Sequence, residues 1–282
     1  MEATLLEFEG PIRLGAFVLV FSVMGLWEWL APRRVRLFTR MRRWSSNLGL
    51  VAVDIAVVRV VFPAAAVGVA AYTQEAGWGL FNQMTLPYPL VLISSLLLLD
   101  LAIYFQHVLS HHIPILWRLH RVHHADADFD VTTALRFHPI EILFSMGYKS
   151  VLIILLGAPV AAVILFEVIL NASAMFNHGN VSLPSALDRA VRRLLVTPDM
   201  HRVHHSVHGS EANRNFGFSL SVWDRLFGTY QQAPALGHDD MVLGLPMKHG
   251  HFTSVALGEM LMIPFRRLQE TAVNPGNATR EN

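Results

Sequence analysis

Hydrophobic and polar positions divide the chain into apolar runs long enough to cross a bilayer, separated by polar stretches. Residues 12–31 form the first run, with Trp27 and Trp29 near its end as interfacial anchors. Residues 47–71 form a second, interrupted by Asp54 and Arg59. Charges are costly in lipid, so both are expected to face the interior of a bundle. Residues 72–87 hold Gly77, Gly79 and Pro87 and read as an outer loop. Residues 88–110 form a third run. The long apolar stretch 141–175, with Gly157-Ala158-Pro159 near its middle, would overshoot a hydrocarbon core of about 30 Å as one helix. It is expected to enter the membrane and return as a helical hairpin. The pattern predicts an all-α integral membrane protein with about four transmembrane helices, the last two as a hairpin. A helical, His-rich cytoplasmic domain is expected to cap them.

Between the runs lie shorter polar elements. Arg189, Arg192 and Arg193 mark residues 185–196 as a basic amphipathic helix suited to a membrane surface. Thr197-Pro198-Asp199 starts another helix, with Pro198 well placed for a first turn. Asp126, Asp128 and Asp130 read as a solvated loop. Trp117, Arg118 and Arg121 are expected at headgroup level, and the tail from about residue 270 is expected to be disordered.

Composition agrees with a membrane location. Of 282 residues, 53% are hydrophobic and only 15% charged, and mean hydropathy is +0.40, too apolar for an ordinary soluble domain. The acidic start (Glu2, Glu7, Glu9) is not a signal peptide, because the positive n-region is missing. The net charge of +1 gives no bulk electrostatic reason for nucleic-acid binding. The charge is unevenly placed, however. Arg33, Arg34, Arg36, Arg40, Arg42 and Arg43 follow the first run and mark their loop as cytoplasmic, so the N-terminus is expected outside. Cysteine is absent, which excludes disulfides, Cys-ligated iron–sulfur clusters and a haem-thiolate centre. Any redox metal must be held by histidine and oxygen ligands.

Histidines supply the candidate chemistry. His107 and His111 form an HxxxH box. His120, His123 and His124 form an HxxHH box, repeated at His201, His204 and His205, with His138 and His178 between. Positions three and four apart share a helix face, so each box can present two or three ring nitrogens to one small volume. Imidazole suits zinc, copper, iron and nickel. Ten such ligands exceed what one ion needs, so a two-metal site is the economical reading. Asp100, Tyr104, His107 and His111 share one helical stripe, which makes Asp100 a candidate to orient a ligand ring. Glu141, Asn180 and Asp224 are further candidates, although Asp224 leans toward a structural turn.

These residues resemble a known family. Asp100-x-x-x-Tyr104-x-x-His107-x-x-x-His111, Leu116-Trp117-Arg118-x-His120-x-x-His123-His124 and Arg136-Phe137-His138-Pro139-x-Glu141 are three of its blocks. Asn177-His178-x-Asn180, Thr197-Pro198-x-Met200-His201-x-x-His204-His205 and Trp223-Asp224-Arg225-Leu226-Phe227-Gly228-Thr229 are the others. The ordered series is similar to the fatty acid hydroxylase / sterol desaturase superfamily over roughly residues 33–232. The resemblance implies a di-metal domain over 88–232, preceded by membrane spans and the basic loop (1–87) and followed by a C-terminal extension and tail (233–282).

It also implies a membrane-bound non-haem enzyme with two iron ions, for which zinc could substitute. Such an enzyme uses O2 and electrons from a separate reductase, ferredoxin or cytochrome to hydroxylate or desaturate a lipid in the inner or plasma membrane. Carried over by position, the ligands are His107, His111, His120, His123, His124, His138, His178, His201, His204 and His205. His112 departs from the pattern and is excluded, His208 is peripheral, and His238, His249 and His251 lie beyond the match. The alternatives are a non-catalytic membrane zinc-binding or transport protein and a zinc hydrolase. The latter lacks a Glu between paired histidines to act as base.

Overall fold

The computed structural model describes residues 2–126, 128–247 and 250–268. Helix α1 (Glu2–Leu30) leads through the basic loop to α2 (Arg40–Val61). Pro63 has no N–H to donate and ends that helix. The apolar run then continues as α3 (Ala65–Glu75), and a 3₁₀ turn (Leu80–Gln83) precedes α4 (Tyr88–His112). After α5 (Pro114–His124) come α6 (Pro139–Leu156) and α7 (Val160–Asn177). These two form the expected hairpin. Gly157 caps α6 in the left-handed region at φ 67°, where glycine avoids the Cβ clash. The loop before the 3₁₀ turn packs on this corner so closely that a Cβ on Gly79 would lie 2.2 Å from the Gly157 nitrogen.

Five helices or helical segments among the described residues are long and apolar enough to cross a membrane: Leu5–Leu30, Arg40–Gln83, Tyr88–His112, Pro139–Leu156 and Val160–Asn177. The count thus exceeds the four expected, because each arm of the hairpin is itself about 27 Å long at 1.5 Å per residue. The second run is broken at residues 62–64. Asp54 faces the interior as expected, but Arg59 is exposed on the opposite side of α2. The core between α3, α4, α6 and α7 is built from Ala66, Ala70, Leu99, Ile103, Ile153, Val163 and Phe166. Lys149 on α6 pairs with Glu167 on α7, which also forms an ion pair with Arg13 on α1 at 3.1 Å.

The cap is made of short pieces: α8 (Ser185–Val191), α9 (Pro198–His204), α10 (Gly209–Ala212), α11 (Val222–Leu226), α12 (Gly237–Asp240) and α13 (Leu257–Met262). Helix α8 is shorter than the amphipathic helix expected over 185–196 and ends before the bridge at Leu195. Helix α9 begins as expected, with the Thr197 side chain accepting from the Met200 N–H and Pro198 in the first turn. A small antiparallel hairpin, β1 (Leu245–Met247) with β2 (Gly250–Phe252), was not expected. The tail from 270 and His249 fall outside the described residues.

The Asp126–Asp130 stretch is the largest departure from the sequence reading. Asp126, Asp128 and Asp130 are buried rather than solvated. The Arg43 guanidinium, fully enclosed, reaches Asp126 at 2.7 and 3.1 Å and also pairs with Asp130. Arg136 adds a second cation 3.6 Å from Asp126. Burial alone would raise the Asp126 pKa, but Arg43 and Arg136 outweigh it and hold the carboxyl below its usual range. Asp128 accepts from the Leu37 and Phe38 N–H groups at 2.8 and 3.0 Å. A loop rich in acids is therefore the binding surface for the basic loop, far away in sequence.

Candidate metal centre

Helix α4 places its last turns at the base of the cap, which brings His107 and His111 to the level of α5, α9 and the end of α7. Two groups result. His107, His111, His120, His124 and His204 form the first; His123, His178, His201 and His205 form the second. Within each group the candidate ligand atoms lie within 4.8 Å of one another. All these rings are buried, none more than 3% exposed. Each HxxHH box divides between the groups. His120 and His124 serve the first while His123 serves the second; His204 serves the first while His201 and His205 serve the second.

His138 joins neither group. It is the N-cap of α6: its Nδ1 accepts from the Ile140 N–H at 3.2 Å, and its Nε2 faces the Leu261 carbonyl at 3.3 Å. Both ring nitrogens are thus engaged by main chain. The His-Pro-x-Glu spacing carried this signal, because a cap residue followed by Pro is a helix start. His112 is exposed and bonds within its own helix to the Val108 carbonyl, outside both groups as expected. His208 caps α10.

The hydrogen bonds of the rings fix which nitrogens face inward. A carbonyl can only accept, so an Nδ1 bonded to one must carry the proton and leave Nε2 with its lone pair. This holds for His107 on Phe216 O (2.7 Å), His204 on Arg214 O (2.8 Å) and His178 on Ala174 O (2.7 Å). Glu141 plays the same part for His120 Nδ1 at 2.6 Å. The freed Nε2 atoms of His107, His120 and His204 are buried without a protein partner. In the second group the His178 Nε2 lies 3.1 Å from the Nε2 atoms of both His123 and His201. One lone pair cannot satisfy two such neighbours. A shared cation can, since two nitrogens about 2.1 Å from one ion at right angles stand about 3 Å apart. The residues present therefore fit two metal ions.

Electrostatics point the same way. Burial lowers the pKa of His123, His124, His201 and His205, reinforced by neighbouring histidines. Burial takes His178 down to about 4 and His204 to about 3. These rings are neutral at pH 7, the form that binds metal. Their folded pKa values lie below the unfolded value of 6.5, so the unfolded chain binds more protons in between. Metal-free protein is expected to be most stable above about pH 6.5 and to weaken steadily as pH falls toward 4. Melting curves of chelator-treated protein at pH 7.5, 6 and 5 check this; a flat profile would contradict it.

The other candidates divide. Glu141 holds the His120 ring through Nδ1. Asp100 does not: it accepts from the Trp223 Nε1–H at 2.8 Å and the Leu220 N–H at 3.3 Å. Tyr104 on the same stripe bonds Thr229 at 2.9 Å, so the stripe is the seat of the 216–230 segment. Asn180 bonds the main chain of Arg34 in both directions, at 2.9 and 2.8 Å. Asp224 is structural, as expected. It accepts from the Phe216 and Gly217 N–H groups at 2.7 and 2.9 Å, and burial raises its pKa to about 6. Trp117 packs on His111 and His124, with ring centroids 5.0 and 5.4 Å away. Arg118 and Arg121 bond carbonyls of Pro264, Ile263 and Arg266, so these side chains clamp the C-terminal segment. The orienting carbonyls of Arg214 and Phe216 were invisible in the sequence, because a main-chain acceptor has no residue signature.

Fold and site together define a membrane-type helical bundle carrying a paired polyhistidine centre. Residues 92–229 match the family described as fatty acid hydroxylase. The chain is similar to ornithine lipid hydroxylase OlsE of Rhizobium tropici, 28% identical over 60% of this chain and 50% of that protein. It is similar to human alkylglycerol monooxygenase, 29% identical over 55% of this chain and 34% of that one. Human cholesterol 25-hydroxylase is 29% identical over 50% of this chain and 52% of its own. The aligned region thus covers about half or less of these curated relatives. No solved structure matches the chain.

Proposed function

We propose that the chain is a membrane-bound di-iron oxidoreductase that hydroxylates, or desaturates, a lipid. The observation that carries this reading is the convergence of two groups of buried imidazoles within the region that matches fatty acid hydroxylase. His107, His111, His120, His124 and His204 would hold one ion and His123, His178, His201 and His205 the other. Bound iron would supply O2 activation, using electrons from a separate reductase, ferredoxin or cytochrome. Zinc would occupy the same nitrogens without that redox capacity.

The protein's own part is positional. Glu141 and the carbonyls of residues 174, 214 and 216 hold four rings with Nε2 inward. Phe137 stacks on His123 at 4.6 Å, Phe129 stands 5.0 Å from His205, and Phe218 stands 5.2 Å from His107. This aromatic lining keeps water from the centre and offers an apolar approach from the spans. The second group offers one imidazole fewer than the first, so the exogenous ligands would enter there. The basic loop from Arg33 to Arg42 supports a cytoplasmic cap on an inner or plasma membrane. Arg43 is committed to Asp126 and Asp130 and does not count toward that bias.

Comparative lipidomics of cells with and without the gene tests the reaction. The expected result is a lipid class that gains one oxygen atom, or loses two hydrogens, only when the gene is present. The non-catalytic zinc protein predicts no lipid change and no O2 uptake.

A further inference from the structure

We infer that Asn215 is a positioning residue that sets two imidazoles of the first group at once, through the main-chain carbonyls on either side of it. The inference rests on the metal-centre reading above. His107 comes from α4 and His204 from α9, elements that share no hydrogen-bond ladder. Their Nδ1–H groups nevertheless donate into one three-residue strap, to Phe216 O at 2.7 Å and Arg214 O at 2.8 Å. A shift of this strap would rotate both rings together.

The strap is neither helix nor strand, so it has no regular ladder of its own, and Asn215 supplies the restraint. Its backbone is left-handed, φ 54°, a conformation that Asn tolerates better than most residues. Its side chain is fully buried and fully used. The amide nitrogen donates to Met200 O and Gln231 O, both at 2.8 Å, and the amide oxygen accepts from the Gln231 N–H at 2.8 Å. The main-chain N–H donates to Thr229 O at 2.9 Å. Met200 immediately precedes His201, so one amide ties the strap to α9 and to the 229–231 segment together. Asp224 grips the next two N–H groups.

Only an amide meets every demand at this position. Glycine accepts the backbone angle but loses three hydrogen bonds. Aspartate keeps the shape and the acceptor, but turns two donor contacts into oxygen facing carbonyl oxygen. No ring of the second group bonds the strap, so the effect should fall on one site of the two.

The test is anaerobic cobalt(II) titration of the purified, metal-stripped full chain, wild type against Asn215→Gly and Asn215→Asp. The d–d spectrum and the melting of the metal-free proteins are followed alongside. Wild type should bind two equivalents. Both variants should bind one site with unchanged affinity and the other at least tenfold more weakly, the scale expected when a partner behind a ligand is lost. The spectrum of the weakened site alone should shift, and His204→Ala should remove that same component. Equal weakening of both sites, loss of the metal-free fold in both variants, or wild-type titrations would each overturn the inference. Failure of the wild type to bind cobalt would overturn the metal-centre reading itself, and this inference with it.

Discussion

Replacing His204 by alanine is expected to abolish product formation and remove at least half of the bound iron, while the protein stays in the membrane. His204 faces three other rings of the first group. Its ring lies 4.4 Å from His107, 4.6 Å from His111 and 4.7 Å from His124, centroid to centroid. Its Nδ1 is spent on Arg214 O, so its Nε2 has no other use than a cation. The substitution removes one of five donors and leaves the Arg214 carbonyl facing a cavity. The fold should survive, because a neutral imidazole carries no charge that another group must balance and the core among the spans is untouched. Elemental analysis of membranes purified from iron-replete cells, with lipid product assayed in parallel, reads both effects. Activity at the wild-type level would mean that His204 is not a ligand.

The second large effect is one of stability. Arg43→Met is expected to destabilise the protein by about 3–5 kcal/mol, the usual consequence of removing one partner from a buried ion cluster. The change leaves Asp126 with Arg136 at 3.6 Å and the Thr133 hydroxyl at 2.8 Å, and Asp130 with the Trp44 Nε1–H at 3.2 Å and its own turn. Three buried carboxylates, Asp126, Asp128 and Asp130, would then lose the cation that faces them all. A drop in melting temperature of roughly 10 °C is the corresponding reading. Arg42→Met, on an exposed neighbour, should stay within about 0.5 kcal/mol. A variant pair that melted alike would show that the cluster contributes no stability.

Most of the bundle was legible because its signal is local. An apolar run needs no partner to be recognised, and the Gly-Ala-Pro corner between α6 and α7 announces itself by composition. The histidine boxes were legible for the same reason, since spacing on a helix fixes a face. What escaped depended on distant segments. Asp126 and Asp130 read as solvated because the cation that contacts both, Arg43 on α2, is more than 80 residues away in sequence. Asp100 sits on the histidine stripe, yet its partners are Trp223 and Leu220, brought over by the chain's return. The division of each HxxHH box between two sites could not be read from one helix at all, because it depends on which neighbouring helix faces each ring. The β1–β2 hairpin is too short to carry a periodic signal.

The arrangement of the first group also has a consequence for biogenesis. Four of its imidazoles lie between His107 and His124, and the fifth arrives only with α9. The five long apolar segments among the described residues all precede α9, so they emerge from the ribosome before the site can form. In the proposed di-metal enzyme, metal loading would therefore close the assembly, after the long helices have been made. A chain arrested before residue 198 would insert normally and remain unable to complete either site.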